Sequence, residues 1–256
     1  MSWPEDVSRD RLVDDWYIYQ RRGGHRTSTD DLLTAYHAVS RSACSPRSYL
    51  DLGCGVGSVL LMVLYALRPG RAQGIEAQGQ SLVLARRSLA ELPVEDLHVT
   101  LTEGDLRDTP LGEGGFELIT GSPPYFPIGT GVLPADPQRR ACRFEERGGV
   151  EEYCAAAASL LAPGGRFHLV HQTDADARVL RAAGESGLHL RARVDVLMRA
   201  DRSSPFLTVY EFRREAGQVV RESFAVRGRD GLWTEAYRGA RHRLGLDRTG
   251  GGTTGD

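Results

Sequence analysis

No apolar run in this sequence approaches the roughly 20 residues that a membrane-spanning helix needs. The first residues, MSWPEDVSRDR, are too acidic and polar for a secretory signal or a transit peptide. An excess of charge is missing too. Lys and Arg total 32 against 34 Asp and Glu, a formal net charge of -2, which excludes a uniformly basic nucleic-acid-binding surface but not a local basic patch. Cysteine is sparse: Cys44, Cys54, Cys142 and Cys154 include no C-x-x-C pair and no zinc set with a nearby histidine. Four free thiols in a reducing compartment are expected. His25, His168 and His171 lack a metal-binding spacing and read as structural. There is no internal repeat. These absences lead to the expectation of a cytoplasmic protein with neither a metal nor a membrane partner. They say nothing of its oligomeric state.

What is present is ordinary in amount and informative in order. The 256 residues suit one large domain, or one domain with a small appendage, at 41% hydrophobic and 26% charged residues. From residue 47 to 213 short apolar runs alternate with longer helical stretches. RSYLDL, AQGIEA, LHVTLTEGD, FELITG and RFHLVHQ read as strands. SVLLMVLYAL, GQSLVLARRSLAEL, VEEYCAAAASLLAPGG and DADARVLRAAGESG read as helices, the third of them stopped by Pro163 and Gly164. Alternation of this kind predicts an α/β fold with a mostly parallel sheet covered on both faces. LRARVDVLM and PFLTVYEFRR have no helix between them, which predicts one antiparallel pair at the end. Seven strands are expected in all. Residues 1–46 form an N-terminal extension with a glycine turn, Thr29 as N-cap and a lid helix. Residues 47–214 are the core and 215–247 a C-terminal extension holding the alternating run QVVRESFAVRG. Residues 248–256, glycine-rich and polar, are expected to be disordered.

The stretch YLDLGCGVGS sets Gly53, Gly55 and Gly57 between a predicted strand and a predicted helix. In a doubly wound sheet this is the turn where ligands bind, because backbone can approach them closely and a helix N-terminus faces them. The spacing is G-x-G-x-G, not the G-x-G-x-x-G of dinucleotide sites, whose third glycine would fall at Ser58. Asp51 precedes it. A carboxylate there repels a pyrophosphate and attracts an ammonium or sulfonium. Glu76 ends the next strand, where a carboxylate accepts both hydroxyls of a ribose. Asp105, after the third strand, is able to accept from an adenine amine. A cationic amino acid, a ribose and an adenine in one molecule describe S-adenosylmethionine. The set resembles the class I S-adenosylmethionine-dependent methyltransferases over roughly residues 27–213, which implies a Rossmann-like fold whose last strand is antiparallel.

The stretch LITGSPPYFP follows a predicted buried strand with two prolines where one would end it. Methyl transfer to an aromatic amine gives the second a use. The nitrogen lone pair is delocalised into the ring, so two acceptors aimed at its N–H bonds favour the pyramidal transition state. Pro123 and Pro124 stiffen a backbone carbonyl in the required direction, Ser122 supplies the second acceptor, and Tyr125 stacks on the flat face of the base. Phe126 adds apolar surface for the substrate. SPPYF is similar to motif IV of the amino-methyltransferases, usually N-P-P-Y or N-P-P-F, with Ser122 in place of the Asn.

The flanks narrow the resemblance. YQRRGGHRTSTDDLLTAYHAV and FAVRGRDGLWTEAYRGA resemble the ends of the bacterial tRNA adenine-N6 methyltransferases that modify the adenosine beside the anticodon of a valine tRNA. That likeness spans about residues 17–246. It implies Arg26 to Thr29 over the methionine end of the cofactor, Asp51 at its ammonium, Glu76 at its ribose, and Asp105 with Leu106 at its adenine. The loop PQRRACRFEERGG then offers Arg139, Arg140, Arg143 and Arg147 to RNA phosphates, and the tail adds Arg227, Arg229, Arg238, Arg241 and Arg243. Glutamates interleaved with them equally suit a solvated surface. The expected activity is N6 methylation of adenine in RNA, with tRNA the expected RNA. A methyltransferase for a protein glutamine or a small-molecule amine, and a module that binds the cofactor without chemistry, remain open on these residues.

Overall fold

The protein is described by a computed structural model over residues 5–108 and 114–247. The tail expected to be disordered lies outside these residues. Ten strands and seven α-helices follow in chain order: β1 (Val7–Val13), β2 (Trp16–Arg21), α1 (Thr29–Ser40), β3 (Ser48–Leu52), α2 (Ser58–Leu67), β4 (Arg71–Glu76), α3 (Gly79–Ala90), β5 (Val99–Glu103), β6 (Phe116–Gly121), α4 (Pro137–Arg143), α5 (Val150–Leu160), β7 (Leu161–Gln172), α6 (Asp176–Glu185), β8 (His189–Arg199), β9 (Leu207–Arg213), β10 (Val220–Arg227) and α7 (Glu235–Arg243).

Eight strands form one sheet in the order β10-β8-β9-β7-β6-β3-β4-β5. β9 is antiparallel to both β7 and β8, and every other neighbouring pair is parallel. The chain leaves β3 toward β4 and β5, then returns to place β6 on the other side of β3. That reversal makes a crevice beyond the carboxyl ends of β3 and β6, where open α/β sheets bind ligands. Two apolar cores cover the faces. One joins α1, α2, the β1–β2 hairpin and α7, and the other joins α5 and α6. The sequence SVLLMVLYAL is apolar all round, so α2 has to be buried on most sides. α1 packs along it, and Trp16 meets its Tyr65 edge-on at 5.5 Å.

Five expectations are corrected. The sheet has eight strands, not seven, because β10 adds itself beside β8. Only Phe224 and Val226 of β10 bury deeply, so its alternation is too short to disclose which sheet it joins. Before the lid helix stands a hairpin, β1–β2, turned at Asp14 and Asp15 with Asp14 in the left-handed region (φ 45). Helix α1 is capped by Ser28, whose N–H is taken by the Asp31 carboxylate at 3.1 Å, and Thr29 is its first residue. The arginine loop contains a helix: Asp136 accepts the Arg139 N–H at 2.9 Å and Pro137 opens α4, the usual sequence of cap and first-turn proline. Pro163 and Gly164 lie inside the start of β7, in the irregularity between its pairs at Leu161 and Arg166, rather than ending α5.

Candidate active site

Three loops at the carboxyl ends of β3, β4 and β6 line one cleft with the segment after β5 and the underside of α4. Gly53, Gly55 and Gly57 between β3 and α2 all have positive φ (64, 56 and 91). A Cβ on Gly53 would lie 2.0 Å from the Tyr153 hydroxyl, whereas nothing stands within 4 Å of one on Gly55. Glycine at the first position lets α5 approach from behind. At the second it keeps the cleft side of the loop bare.

Asp51, buried in β3, accepts the Thr120 hydroxyl at 2.6 Å through Oδ1, and the Tyr49 hydroxyl lies 2.8 Å from the same Thr120 oxygen. Since Thr120 gives its proton to Asp51, Tyr49 donates to Thr120. Asp51 Oδ2 is buried and has no hydrogen-bond partner among the described residues. Burial pushes this carboxyl up to about 7. Glu76, at the end of β4, accepts the Gly55 N–H at 2.9 Å and the Gln78 N–H at 2.7 Å, so it ties the glycine loop to the start of α3. Burial raises its pKa too, against the pull of those two N–H groups. Asp105 and Leu106 line the cleft beyond β5. The Asp105 carboxylate grips Arg107 through its N–H at 3.0 Å, Nε at 2.8 Å and Nη2 at 2.6 Å, which holds it below the usual carboxylate range.

Ser122 and Pro124 line the same cleft, one and three residues beyond β6, and Pro123 is buried between them. The Ser122 hydroxyl is buried without a partner among the described residues. Tyr125 and Phe126 are turned aside. The Tyr125 hydroxyl donates to Asp30 at 2.8 Å and its ring leans on His171 at 5.0 Å, while Phe126 packs on Phe144 at 5.6 Å. Arg26 pairs with Asp10 at 2.9 Å on the hairpin and, like Thr29, stands outside the cleft lining. Arg139 and Arg143 are exposed on α4, Arg143 over the Phe126 ring, and Arg140 pairs with Glu146 at 2.7 Å. Arg147, expected on the RNA side, lines the cleft, where its charge partly opposes the burial-driven rise of the Glu76 pKa and adds to the lowering at Asp105.

Sequence reasoning missed several lining residues. Asp31 is buried there and driven up to about 8, first by burial and then by Asp30, with Asp51 adding to it. Its only sequence signal, an acid three residues after Ser28, reads as a helix cap. His25, set aside as structural, also lines the cleft. Gln78 and Cys142 join across it at 3.4 Å, which shows that α4 roofs the site. Two further bonds hold the roof: Gln138 to Ser81 at 2.9 Å and Arg21 to Asp136 at 2.7 Å.

Three buried carboxylates, Asp31, Asp51 and Glu76, thus face one cleft, each with its pKa raised by burial. A cation placed among them relieves that cost. The unpartnered Asp51 oxygen, the bare glycine loop and the Glu76 carboxylate fit an aminoacyl cation joined to a ribose.

The model of a methyltransferase domain matches residues 50–127 of this chain. A solved structure of a predicted O-methyltransferase from Agrobacterium tumefaciens superimposes with a TM-score of 0.62 at 18% identity, covering 84% of this chain and 97% of its own. A putative RNA methyltransferase from Pyrococcus horikoshii does so with 0.51 at 12%, covering 75% and 88%. The fold, an open α/β sheet with a cleft at its switch point, is that of the class I methyltransferases. Within that class the chain is similar to enzymes named tRNA1(Val) (adenine(37)-N6)-methyltransferase. One from Porphyromonas gingivalis is 33% identical over 58% of this chain and 59% of its own length, and one from Citrobacter koseri is 28% identical over 87% and 89%. The match to the Porphyromonas relatives spans about three fifths of their length.

Proposed function

We propose that the protein transfers a methyl group from S-adenosylmethionine to the exocyclic N6 amine of an adenine in RNA, with tRNA as the substrate. One observation carries this reading: the buried, unpartnered Ser122 hydroxyl opens the S-P-P segment onto the cleft that also holds the unpartnered Asp51 oxygen. Similarity to relatives named as tRNA adenine-N6 methyltransferases supports the choice of amine and of RNA.

The cofactor supplies an electrophilic methyl group on a sulfonium. Asp51 and Asp31 hold its cationic amino acid end, Glu76 its ribose hydroxyls, and Asp105 with Leu106 its adenine. Ser122 Oγ and the carbonyl stiffened by Pro123 and Pro124 accept the two N–H bonds of the target amine, so its lone pair turns out of the ring and toward the methyl carbon. Tyr125 moves onto the base only by giving up its bond to Asp30. Arg139 and Arg143, exposed on the roof helix, face RNA phosphates. Bound there, the cofactor would give up its methyl group and leave as a neutral thioether that keeps the S–C electron pair, while the methylated amine would release one N–H proton to solvent.

The test is incubation of tRNA with isotopically labelled cofactor, followed by nucleoside mass spectrometry. N6-methyladenosine is expected. Label confined to a protein glutamine or a small amine overturns the RNA assignment. Ser122→Ala is expected to bind cofactor normally and to lose turnover on the order of a hundredfold, roughly 2–4 kcal/mol for one acceptor in a preorganised site. Ser122→Asn, whose amide oxygen accepts the same N–H, is expected to retain measurable turnover. If both stay within a factor of two of the parent, the segment only ends a strand.

A further inference from the structure

The sheet carries a second basic surface on the same rim as the cleft, far from it along the strand order. β8 and β10 run parallel to β6 and β7, so their carboxyl ends, at Arg199 and Arg227, emerge on the edge where the cleft opens. β10 stands four places from β6 in the sheet, four spacings of roughly 4.8 Å, about 19 Å. There the chain builds a hydrogen-bonded platform. The turn after β10 closes through Gly228 N–H to Leu232 C=O at 2.8 Å and through pairing of Arg227 with Trp233. The Arg227 guanidinium donates to Gly231 C=O at 2.7 Å, the Arg199 guanidinium to Arg229 C=O at 2.8 Å, and Ala200 N–H to Arg227 C=O at 2.8 Å. So fixed, the turn presents Leu232 at 65% exposure and Trp233 at 39%, with the Arg241 guanidinium over the indole at 4.3 Å.

Charge suits this surface to a polyanion. The chain contains no lysine, so all 32 of its basic residues are arginines, whose planar fork matches phosphate. Arg202 and Arg229 are exposed and have no side-chain hydrogen bond or salt bridge among the described residues. Of the carboxylates nearby, Asp201 is held by Arg199 at 3.1 Å, Asp247 by Arg241 at 2.8 Å, and Asp230 accepts the Leu232 N–H at 3.0 Å. Glu235 is in the first turn of α7, and the Arg238 guanidinium is anchored on Trp233 C=O.

We propose that this rim platform is a second RNA contact, on which Arg202 and Arg229 take the phosphate backbone of the substrate while Trp233 and Leu232 rest against an unpaired base or sugar. It rests on the reading that the substrate is RNA, and it adds that recognition extends about 19 Å beyond the reacting base. A cleft that holds one nucleotide gains little discrimination between short and long RNAs. A platform at this distance binds only an RNA large enough to span both.

The experiment compares the affinity of a full tRNA with that of a short single-stranded RNA containing adenine, by fluorescence anisotropy over a series of salt concentrations, for the parent protein and for R202E/R229E. The parent is expected to prefer the full tRNA. The charge reversal is expected to cut that preference at least tenfold and to lower the log–log salt slope for tRNA by about 2, near 0.9 per lost phosphate contact. Thermal melts monitor folding, and R202A/R229A, with the same direction and a smaller loss, guards against a misfolded reversal. An unchanged tRNA preference in both variants overturns the platform. If the parent then still methylates the short RNA with labelled cofactor, the RNA-methyltransferase reading stands without it. A parent that binds and methylates no RNA overturns both.

Discussion

Asp51 shows how one residue sets folding against binding. Its carboxyl, pushed up to about 7 by burial, binds a proton in the native chain that the unfolded chain releases near pH 4. The stability linked to that proton is fully present below the unfolded pKa and is lost as pH rises through about 7. At pH 8 the ligand-free protein therefore carries a buried charge at a cost. Asp51→Asn keeps the acceptor for Thr120 and removes the charge. We expect its melting temperature to exceed the parent's at pH 8 and the gap to shrink toward pH 4. Cofactor affinity falls at least tenfold, roughly 1.5–3 kcal/mol for a hydrogen bond to a charged group. Calorimetric melts at several pH values and a titration with S-adenosylmethionine check both. Parallel pH profiles for the two proteins would remove Asp51 from the account. In the parent, cofactor affinity is also expected to weaken below about pH 7, as Asp51 takes up its proton.

At the scale of elements, the roof helix α4 is the part that sequence reading understood least and the cleft depends on most. Its seven residues bury Gln138, which bonds Ser81 of α3, while Arg21 of the hairpin holds the Asp136 cap. Neither partner is near in sequence: the separations are 57 and 115 residues. Gln138→Ala removes the inner tie and leaves the outer one. It is expected to lower stability by about 1–3 kcal/mol, the cost of a lost buried hydrogen bond, and to speed cofactor release more than cofactor entry. Stopped-flow exchange of a fluorescent cofactor analogue measures the release rate. A rate equal to the parent's would mean that α4 does not gate the cleft.

For the whole molecule, the C-terminal extension is a structural part of the sheet and not an appendage. β10 completes the eight-stranded order, and Phe224 with Val226 enters the core that α1, α2 and α7 share. Phe224 touches Tyr36 and His37 of α1 and Tyr237 of α7. Phe224→Ala is therefore expected to destabilise the protein by about 3–5 kcal/mol. Cofactor affinity of the folded fraction should stay near the parent value, because Phe224 is remote from the cleft lining. Urea unfolding followed by two probes tests this. Loss of β10 structure alone, with the rest of the sheet intact, would contradict a single cooperative unit.

The order of elements, the parallel sheet and the glycine loop were legible in residues 47–213, because each depends on local patterns: apolar period, helix stops, and glycines between a strand and a helix. The α2 range, SVLLMVLYAL, is matched residue for residue in the structure. Asp51, Gly53, Gly55, Glu76, Asp105, Leu106, Ser122 and Pro124 share one cleft for the same reason, since strand ends in such a sheet converge on its switch point. What the tertiary structure alone decided are matters of distant partners. The Asp31 cap signal did not disclose that this carboxylate lies beside Asp51, nor did a polar arginine run disclose a roof. Tyr125 is aromatic wherever it points, and only the approach of α1 turned its hydroxyl to Asp30. Sequence pattern reports what a segment is able to form. Which face a side chain meets is set by pairings across tens of residues, such as Gln138 with Ser81 and β10 with β8, and no local period records them.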